Sequence, residues 1–461
     1  MKTEIVTTGL LAVYNFAWQA VLPLLKTHQR LKPGFSRRTS AAHFSKCDIW
    51  IQAASAGEVY LACSLVKSMR FQAKTQVLVS TTTVQGMEIL EKELAHRLPN
   101  QPLNLSPNQP QNQLANKNME LGPAQTLDPS VKIMLAWFPF DMPSLMESAV
   151  KRIDPAVMVL LETELWPGLL SCLKRRGTEI IMVNARLSEK SFKGYRRTAF
   201  LWRHLAPDTI LAISVREAER FAALFPKAEI KVMPNIKFDA LTTMNGALPK
   251  TGTDSNENNL NPKIPVSILA SIRREEEEMA QRIVARILKG FPNQVVAIFP
   301  RHMERIRSWE RNLTRAGYNW CLRSRRSDLK TVEPGSIILW DTFGELKQAC
   351  SVATTAFVGG SLLPLGGQNF MEPAMAGAAT VTGPHLKDFL WVGEEIFQKK
   401  IVHRAKNWQQ VADFMIENLV NVPRRSVQEE QTQNFIQTHQ GGTRLAVNQI
   451  TRSMQRQKWN Q

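Results

Sequence analysis

F-V-G-G-S-L-L-P-L-G-G-Q-N-F-M-E-P-A-M-A-G-A-A-T-V-T-G-P-H-L-K-D-F, Phe357 to Phe389, reads as a strand, a glycine-punctuated loop and a helix carrying one acid a turn inside. Ala356 to Val358 has the apolar composition of a buried strand, and Gly359-Gly360 lets the backbone turn without a Cβ clash. Gly366 and Gly367 are expected to bring free backbone N–H groups to a ligand phosphate. A helix starting near Asn369 would aim its positive end at the same point. Glu372 then stands where ribose hydroxyls could donate to it. The pattern predicts a Rossmann-like α/β unit that holds a nucleotide; an ordinary tight βα connection is the competing reading.

Working outward, the same strand-then-helix alternation recurs on both sides. Val266–Ala270, Gln294–Phe299, Ile337–Trp340 and Ala379–Val381 read as buried strands in the second half. Asp48–Ala54, Gln76–Ser80, Lys132–Ala136, Val157–Leu161, Ile180–Val183 and Thr209–Ile213 do so in the first. A Pro-, Asn- and Gln-rich run at 98–128 reads as a flexible insertion, and 242–265, poor in apolar residues, reads as the domain linker. The expected division is an N-terminal helix at 1–30, a Rossmann-like domain at 31–241 and a second at 266–461, facing a cleft. The tail from Val411 onward is amphipathic and basic, hence helical.

The 461 residues carry a formal net charge of +18, which calls for anionic partners. Ile5 to Leu25 has no charge, and Lys26, Arg30, Lys32, Arg37, Arg38 and Lys46 follow without an acid. This is the pattern of a membrane-associating helix with a basic, cytoplasmic collar; Asn15, Gln19 and Pro23 suit it to the interface better than to spanning. A helix buried against the domain is the alternative. Five scattered cysteines form no C-x-x-C pair, pointing to a reducing compartment and away from structural zinc. D-x-D and H-E-x-x-H are missing, so no metal or cofactor is expected. Nucleic acid is disfavoured because no aromatic-basic motif is present.

Several loops that follow strands carry groups suited to chemistry. In S-A-G-E, Ser55 to Glu58, small Ala56 and Gly57 admit a close substrate and Glu58 could take a proton from a hydroxyl; an N-cap whose acid complements the helix dipole reads equally well. E-T-E-L-W-P puts Glu162 and Glu164 directly after the apolar strand VMVLL, where one carboxylate could stabilise positive charge or hold a sugar hydroxyl. Arg186, Ser188, Ser191, Asn235 and Lys237 suit anionic oxygens. In the second half Pro300, Arg301, His302, Phe343, Gly344 and Glu345 follow strands. Ser271 and Arg273 open an acidic helix start whose glutamates, 275–278, read as a solvated, dipole-favoured first turn.

The ordered set S-A-G-E, E-T-E-L-W-P, N-A-R-L-S, N-I-K-F-D, F-P-R-H, F-G-E-L and F-V-G-G-S…G-G-Q-N…E-P…G-P-H closely resembles the Kdo (3-deoxy-D-manno-octulosonic acid) transferases of lipopolysaccharide synthesis. That resemblance implies a two-domain GT-B fold with an acceptor-binding first domain and a donor-binding second one. It also implies inverting, metal-independent transfer from CMP-Kdo to a lipid A precursor at the cytoplasmic face of the inner membrane. By motif, Glu58 matches the family's base, Glu162 and Glu164 an acidic pair of which one stabilises the transition state, and Lys237 a lysine with a similar assignment. Ser55, Gly57, Arg186 and Ser188 fall on the acceptor side. Ser271, Arg273, Pro300, Arg301, His302, Phe343, Gly344, Glu345, Gly366, Gly367, Gln368, Asn369 and Glu372 fall around the CMP group.

Three departures stand out. The family's S-T-H before G-E-E is Ser271-Ile272-Arg273 before Glu276-Glu277, its G-G-H-N is Gly366-Gly367-Gln368-Asn369, and a glycine usual before Asn235 is Pro234. Two histidines are thereby replaced, which leaves room for a related transferase with altered donor or acceptor. A catalytically silent nucleotide- or lipid-binding scaffold is the reading from another class; retention of Glu58, Glu162, Glu164 and Lys237 argues against it.

Overall fold

Parallel strands buried on both faces need near-continuous apolar sequence, and the runs identified above fold accordingly into two all-parallel sheets. The structure, a computed structural model, describes residues 2–28, 31–94, 128–245, 265–326 and 332–459. The expected insertion at 98–128 and most of the 242–265 linker lie outside these. The chain divides into two compact units, Met1–Leu248 with His439–Gln461, and Pro249–Thr438.

The first unit holds β1 (Ile49–Ala53), β2 (Thr75–Thr81), β3 (Val131–Trp137), β4 (Val157–Leu161), β5 (Glu179–Ala185), β6 (Thr209–Ala212) and β7 (Glu229–Val232), in the order β3-β2-β1-β4-β5-β6-β7. Successive side chains point to opposite faces, so Trp50, Met158, Leu160, Ile180 and Met182 enter one core. Ile49, Ile51, Val157, Val159 and Ile181 enter the other. The strand order reverses between β1 and β4, the point at which open α/β sheets bind ligands at the carboxyl ends of their strands.

The second unit holds β8 (Val266–Ile272), β9 (Val295–Pro300), β10 (Trp320–Leu322), β11 (Ile337–Leu339), β12 (Ala353–Val358), β13 (Ala379–Thr382) and β14 (Val402–Arg404), ordered β10-β11-β9-β8-β12-β13-β14. Its reversal falls between β8 and β12. Each unit is Rossmann-like, so the fold class is the α/β GT-B type expected from the sequence.

Two expectations change. The helix Gly442–Trp459 belongs to the first unit instead of the second. Its Ala446, Val447, Ile450 and Met454 bury beside β4 and the helix Ala56–Ser68, filling a core face that the first 241 residues leave uncovered. The basic collar loses Arg38, which is buried: Nε donates to the Phe138 carbonyl at 3.1 Å, and the guanidinium lies 4.1 Å from the Phe140 ring centroid. Burial lowers its pKa to about 10. Arg30 lies outside the described residues.

The N-terminal segment is a helix, Lys2–Leu25. Trp18, Leu22 and Leu25 pack on the first unit's core, while Leu10, Val13, Phe16, Val21 and Leu24 remain exposed. Among the described residues, no helix is long and apolar enough to cross a membrane.

Candidate active site

The chain leaves β1 at Ala53 and enters the helix Ala56–Ser68 through Ser55, whose Oγ accepts the Glu58 N–H at 3.3 Å. Ser55 in turn donates to Glu58 Oε1 at 2.8 Å, and the Ala54 N–H donates to Oε2 at 2.7 Å. The N-cap reading of Glu58 is thus seen directly, and its carboxylate sits at the carboxyl end of the sheet. Burial raises its pKa above the ordinary 4.5, partly offset by the Ala54 N–H and Ser55, with the charge of Glu162 raising it further. Gly57 has no internal neighbour closer than Ser55 Oγ at 3.9 Å to a Cβ placed there, so packing does not require glycine.

At the end of β4, Glu162 adopts the left-handed region, φ 55°, while its N–H donates to the Val183 carbonyl of β5 at 2.9 Å. That turn swings its carboxylate between two cations, with Lys237 Nζ at 3.1 Å and Arg186 Nε at 2.8 Å. Lys237 is placed by two amides. Asn184 Oδ1 accepts the Ile236 N–H at 3.0 Å, and Asn235 Oδ1 accepts the Lys237 N–H at 3.0 Å. Asn184 is itself buried at φ 56°. Its part in holding Lys237 was missed in the sequence, although it opens N-A-R-L-S.

Glu164 accepts the Trp166 indole N–H at 2.7 Å. Its pKa is raised to about 7, first by burial and next by the charge of Glu58, with the Trp166 bond acting the other way. Asp141 holds the helix behind it, accepting the Gly168 and Leu169 N–H groups at 2.9 and 2.7 Å. The first unit thus gathers Glu58, Glu162, Glu164, Arg186 and Lys237 around the ends of β1, β4 and β5. Ser188 caps the helix Glu189–Arg197, accepting the Ser191 N–H at 3.1 Å.

In the second unit Ser271 (φ 55°) lies just before β8 ends at Ile272, Arg273 follows the strand, and Pro300 ends β9. The Arg301 N–H donates to the Ile272 carbonyl at 2.8 Å, leaving the side chains of Arg301 and His302 exposed. Arg273 Nε lies 3.8 Å from Glu275. After β11, Phe343 is 67% exposed and Gly344 takes φ 83°. Glu345 is occupied: it accepts Trp340 Nε1 at 2.8 Å and the Thr342 hydroxyl at 2.7 Å, and pairs with buried Arg323 at 3.1 Å. It shapes this loop from within.

The glycine segment after β12 departs from expectation. The Gly367 N–H is not free for a phosphate; it donates to the Gly360 carbonyl at 2.7 Å, and the Gly366 carbonyl accepts the Asp388 N–H at 2.9 Å. A tight internal turn thus takes up one of the two N–H groups that an anion would need. The helix begins at Met371, with Asn369 Oδ1 accepting the Met371 N–H at 3.2 Å, and Gln368 lies against Gly360. Glu372 is half-buried in that helix, its pKa raised by burial against the opposing charge of Lys347. The acidic run 275–278 is also corrected. Glu276 and Glu277 are buried, Glu277 pairing with Arg305 at 2.7 Å.

These sites can be set beside known proteins. Residues 26–240 match the family model for 3-deoxy-D-manno-octulosonic-acid transferase (kdotransferase). The 3-deoxy-D-manno-octulosonic acid transferase of Bordetella pertussis is 26% identical over 87% of this chain and 86% of its own length. The chain is similar to the Kdo transferase family over that range. A Kdo transferase is a glycosyltransferase, and that class holds for this chain. A bifunctional glycosyltransferase/methyltransferase of Fusobacterium nucleatum is 25% identical over 86% of this chain, which spans 57% of that relative's length. Among solved structures, a glycosyltransferase from Rickettsia africae superposes with a TM-score of 0.50 at 10% identity, covering 89% of this chain and 99% of that one, a likeness of fold.

Proposed function

We propose that this chain is a Kdo transferase that moves Kdo from CMP-Kdo onto a hydroxyl of a lipid A precursor of the lipid IVA type, with inversion and without a metal or cofactor. The observation that carries the reading is the placement of Glu58, a buried carboxylate fixed by the Ala54 N–H and the Ser55 hydroxyl beside the Glu162, Arg186 and Lys237 cluster. Ionised, Glu58 takes the proton of the acceptor hydroxyl as its oxygen attacks the anomeric carbon and the bond to the CMP phosphate breaks. The sugar centre gains positive character, which the neighbouring carboxylates stabilise. Of these, Glu164 keeps its two oxygens free of cationic partners among the described residues, whereas Glu162 is neutralised by two. Lys237 and Arg186 are placed to meet carboxylate or phosphate oxygens of the substrates. CMP departs as a phosphate monoester and needs cationic groups such as Arg273 and Arg301 more than a general acid.

The exposed stripe of Leu10, Val13, Phe16, Val21 and Leu24 supports attachment to an anionic lipid surface, here the cytoplasmic face of the inner membrane, where the acceptor resides. Purified protein is given CMP-Kdo and tetra-acylated lipid A precursor, and sugar transfer is read by mass. Transfer that falls about 10²–10⁴-fold in Glu58→Ala supports the assignment. CMP-Kdo bound without any transfer by the wild type overturns it.

A further inference from the structure

Glu276 is fully buried, yet no ion pair to it is found among the described residues. Its carboxylate is instead satisfied by three consecutive backbone donors 84 to 86 residues further along the chain: the Gly360 N–H on Oε2, and the Ser361 and Leu362 N–H groups on Oε1 at 2.9 and 2.7 Å. Successive N–H groups converging from a turn with Gly360 at φ 68° form a concavity that binds anions. Here the chain supplies the anion itself.

The turn so held is the common support of two segments. The Gly360 carbonyl accepts the Gly367 N–H at 2.7 Å, and a Cβ on Gly360 would lie 3.0 Å from Gln368 Cγ, so Gln368 is seated directly on it. On the other side, Ser361 Oγ accepts the Gly383 N–H at 2.8 Å and the Ser361 carbonyl accepts the His385 N–H at 3.0 Å. Gly383 has no room for a side chain, since its Cβ would lie 2.3 Å from the Ser361 carbonyl oxygen. Glu276 follows β8 through a single 3-10 turn, so the carboxylate also ties the loop after β12 to the strand across the topological reversal.

We propose that Glu276 is a positioning residue for the donor. By filling the anion-binding turn Gly360–Leu362 it fixes the register of Gly367-Gln368-Asn369 and Gly383–His385, so that the nucleotide meets a preformed loop. This rests on the reading of the second unit as the CMP-Kdo-binding one. A carboxylate presents acceptors to all three N–H groups, whereas an amide turns one donor toward them, so Glu276→Gln weakens the clamp while keeping size and shape.

The test is calorimetric binding of CMP to the full-length protein, with thermal unfolding and steady-state transfer alongside. If wild type fails to bind CMP, the donor reading itself is lost. If it binds, the expected result for folded Glu276→Gln is a CMP Kd at least 10-fold weaker and a KM for CMP-Kdo raised in step, with the KM for the lipid acceptor unchanged. Glu276→Asp, which keeps the charge but draws it back from the N–H groups, should fall between the two and carries the test should the Gln variant not fold. A purely architectural glutamate would lower the melting temperature and leave the CMP Kd of the folded protein unaltered, and that outcome in either folded variant overturns the proposal.

Discussion

Lys237 Nζ stands 3.1 Å from Glu162 Oε1, a contact between residues 75 apart in sequence that brings the start of the helix Ile236–Asn245 to the end of β4. Replacing the lysine leaves a nearly buried carboxylate whose remaining cationic partner among the described residues is Arg186. Lys237→Ala should lower kcat by about 10²–10³-fold if the ammonium meets charge that develops in the transition state. The loss in folding stability should be about 1–3 kcal/mol, because Arg186 still partners Glu162. Steady-state kinetics and urea unfolding measure the two effects, and an unchanged kcat would assign Lys237 a purely architectural part.

The raised pKa of Glu164, about 7, has a consequence for stability. The folded chain holds this proton more tightly than the unfolded chain, whose glutamates ionise near 4.5. Stability therefore declines as pH rises from about 4.5 to 7 and the cost persists above that. Glu164→Gln keeps an acceptor for the Trp166 indole and removes the cost. Its stability relative to wild type should improve by on the order of 1–3 kcal/mol between pH 5 and pH 8. An offset that is the same at both pH values would show that the group ionises normally.

Phe16 and Leu24, 72% and 70% exposed, lie on the face of the N-terminal helix turned away from the core. Glutamates at both positions should abolish sedimentation with vesicles rich in anionic lipid and leave the melting temperature within about 2 °C. Retained vesicle binding would move the lipid contact elsewhere.

The same helix is tied down on its inner side, where the Tyr14 hydroxyl donates to Asp141 Oδ2 at 3.1 Å. Asp141 is pushed up to about 7 by burial, opposed by the Gly168, Leu169 and Tyr14 donors. Tyr14→Phe removes one of three donors to a buried carboxyl, for a loss of about 1 kcal/mol and a melting temperature lower by about 2–4 °C. A variant as stable as wild type would mean that solvent or a neighbour replaces the hydroxyl.

Most strands were legible because parallel strands covered on both faces demand apolar runs, as in VMVLL at 157–161. The exceptions follow the same logic. Glu229–Val232 is a partly exposed edge strand, and Trp320–Leu322 and Val402–Arg404 are three residues long, so none carries such a run. Glu58, Glu162 and Glu164 were visible because each follows a strand-like segment, and Lys237 because it lies in N-I-K-F-D. Glu276 was not: within four successive glutamates nothing local distinguishes the one that three amides 84 to 86 residues away will enclose. Arg38 in a basic run hid for the same reason, since its partners are the carbonyls of Thr82 and Phe138. The helix Gly442–Trp459 was recognisable as amphipathic, but a periodic apolar stripe does not say which core it completes.

That helix sets the order in which the protein can be built. The second unit is one continuous stretch and has its full sequence once residue 438 is made, whereas the first unit is split and lacks part of its core until Gly442–Trp459 has been synthesised. During synthesis the earlier half must wait, incomplete, while the later half is translated and can fold ahead of it. Nascent chains stalled before residue 442 should leave the grooves along β4 and the helix Ala56–Ser68 open to chaperones, with closure timed by the synthesis of Gly442–Trp459.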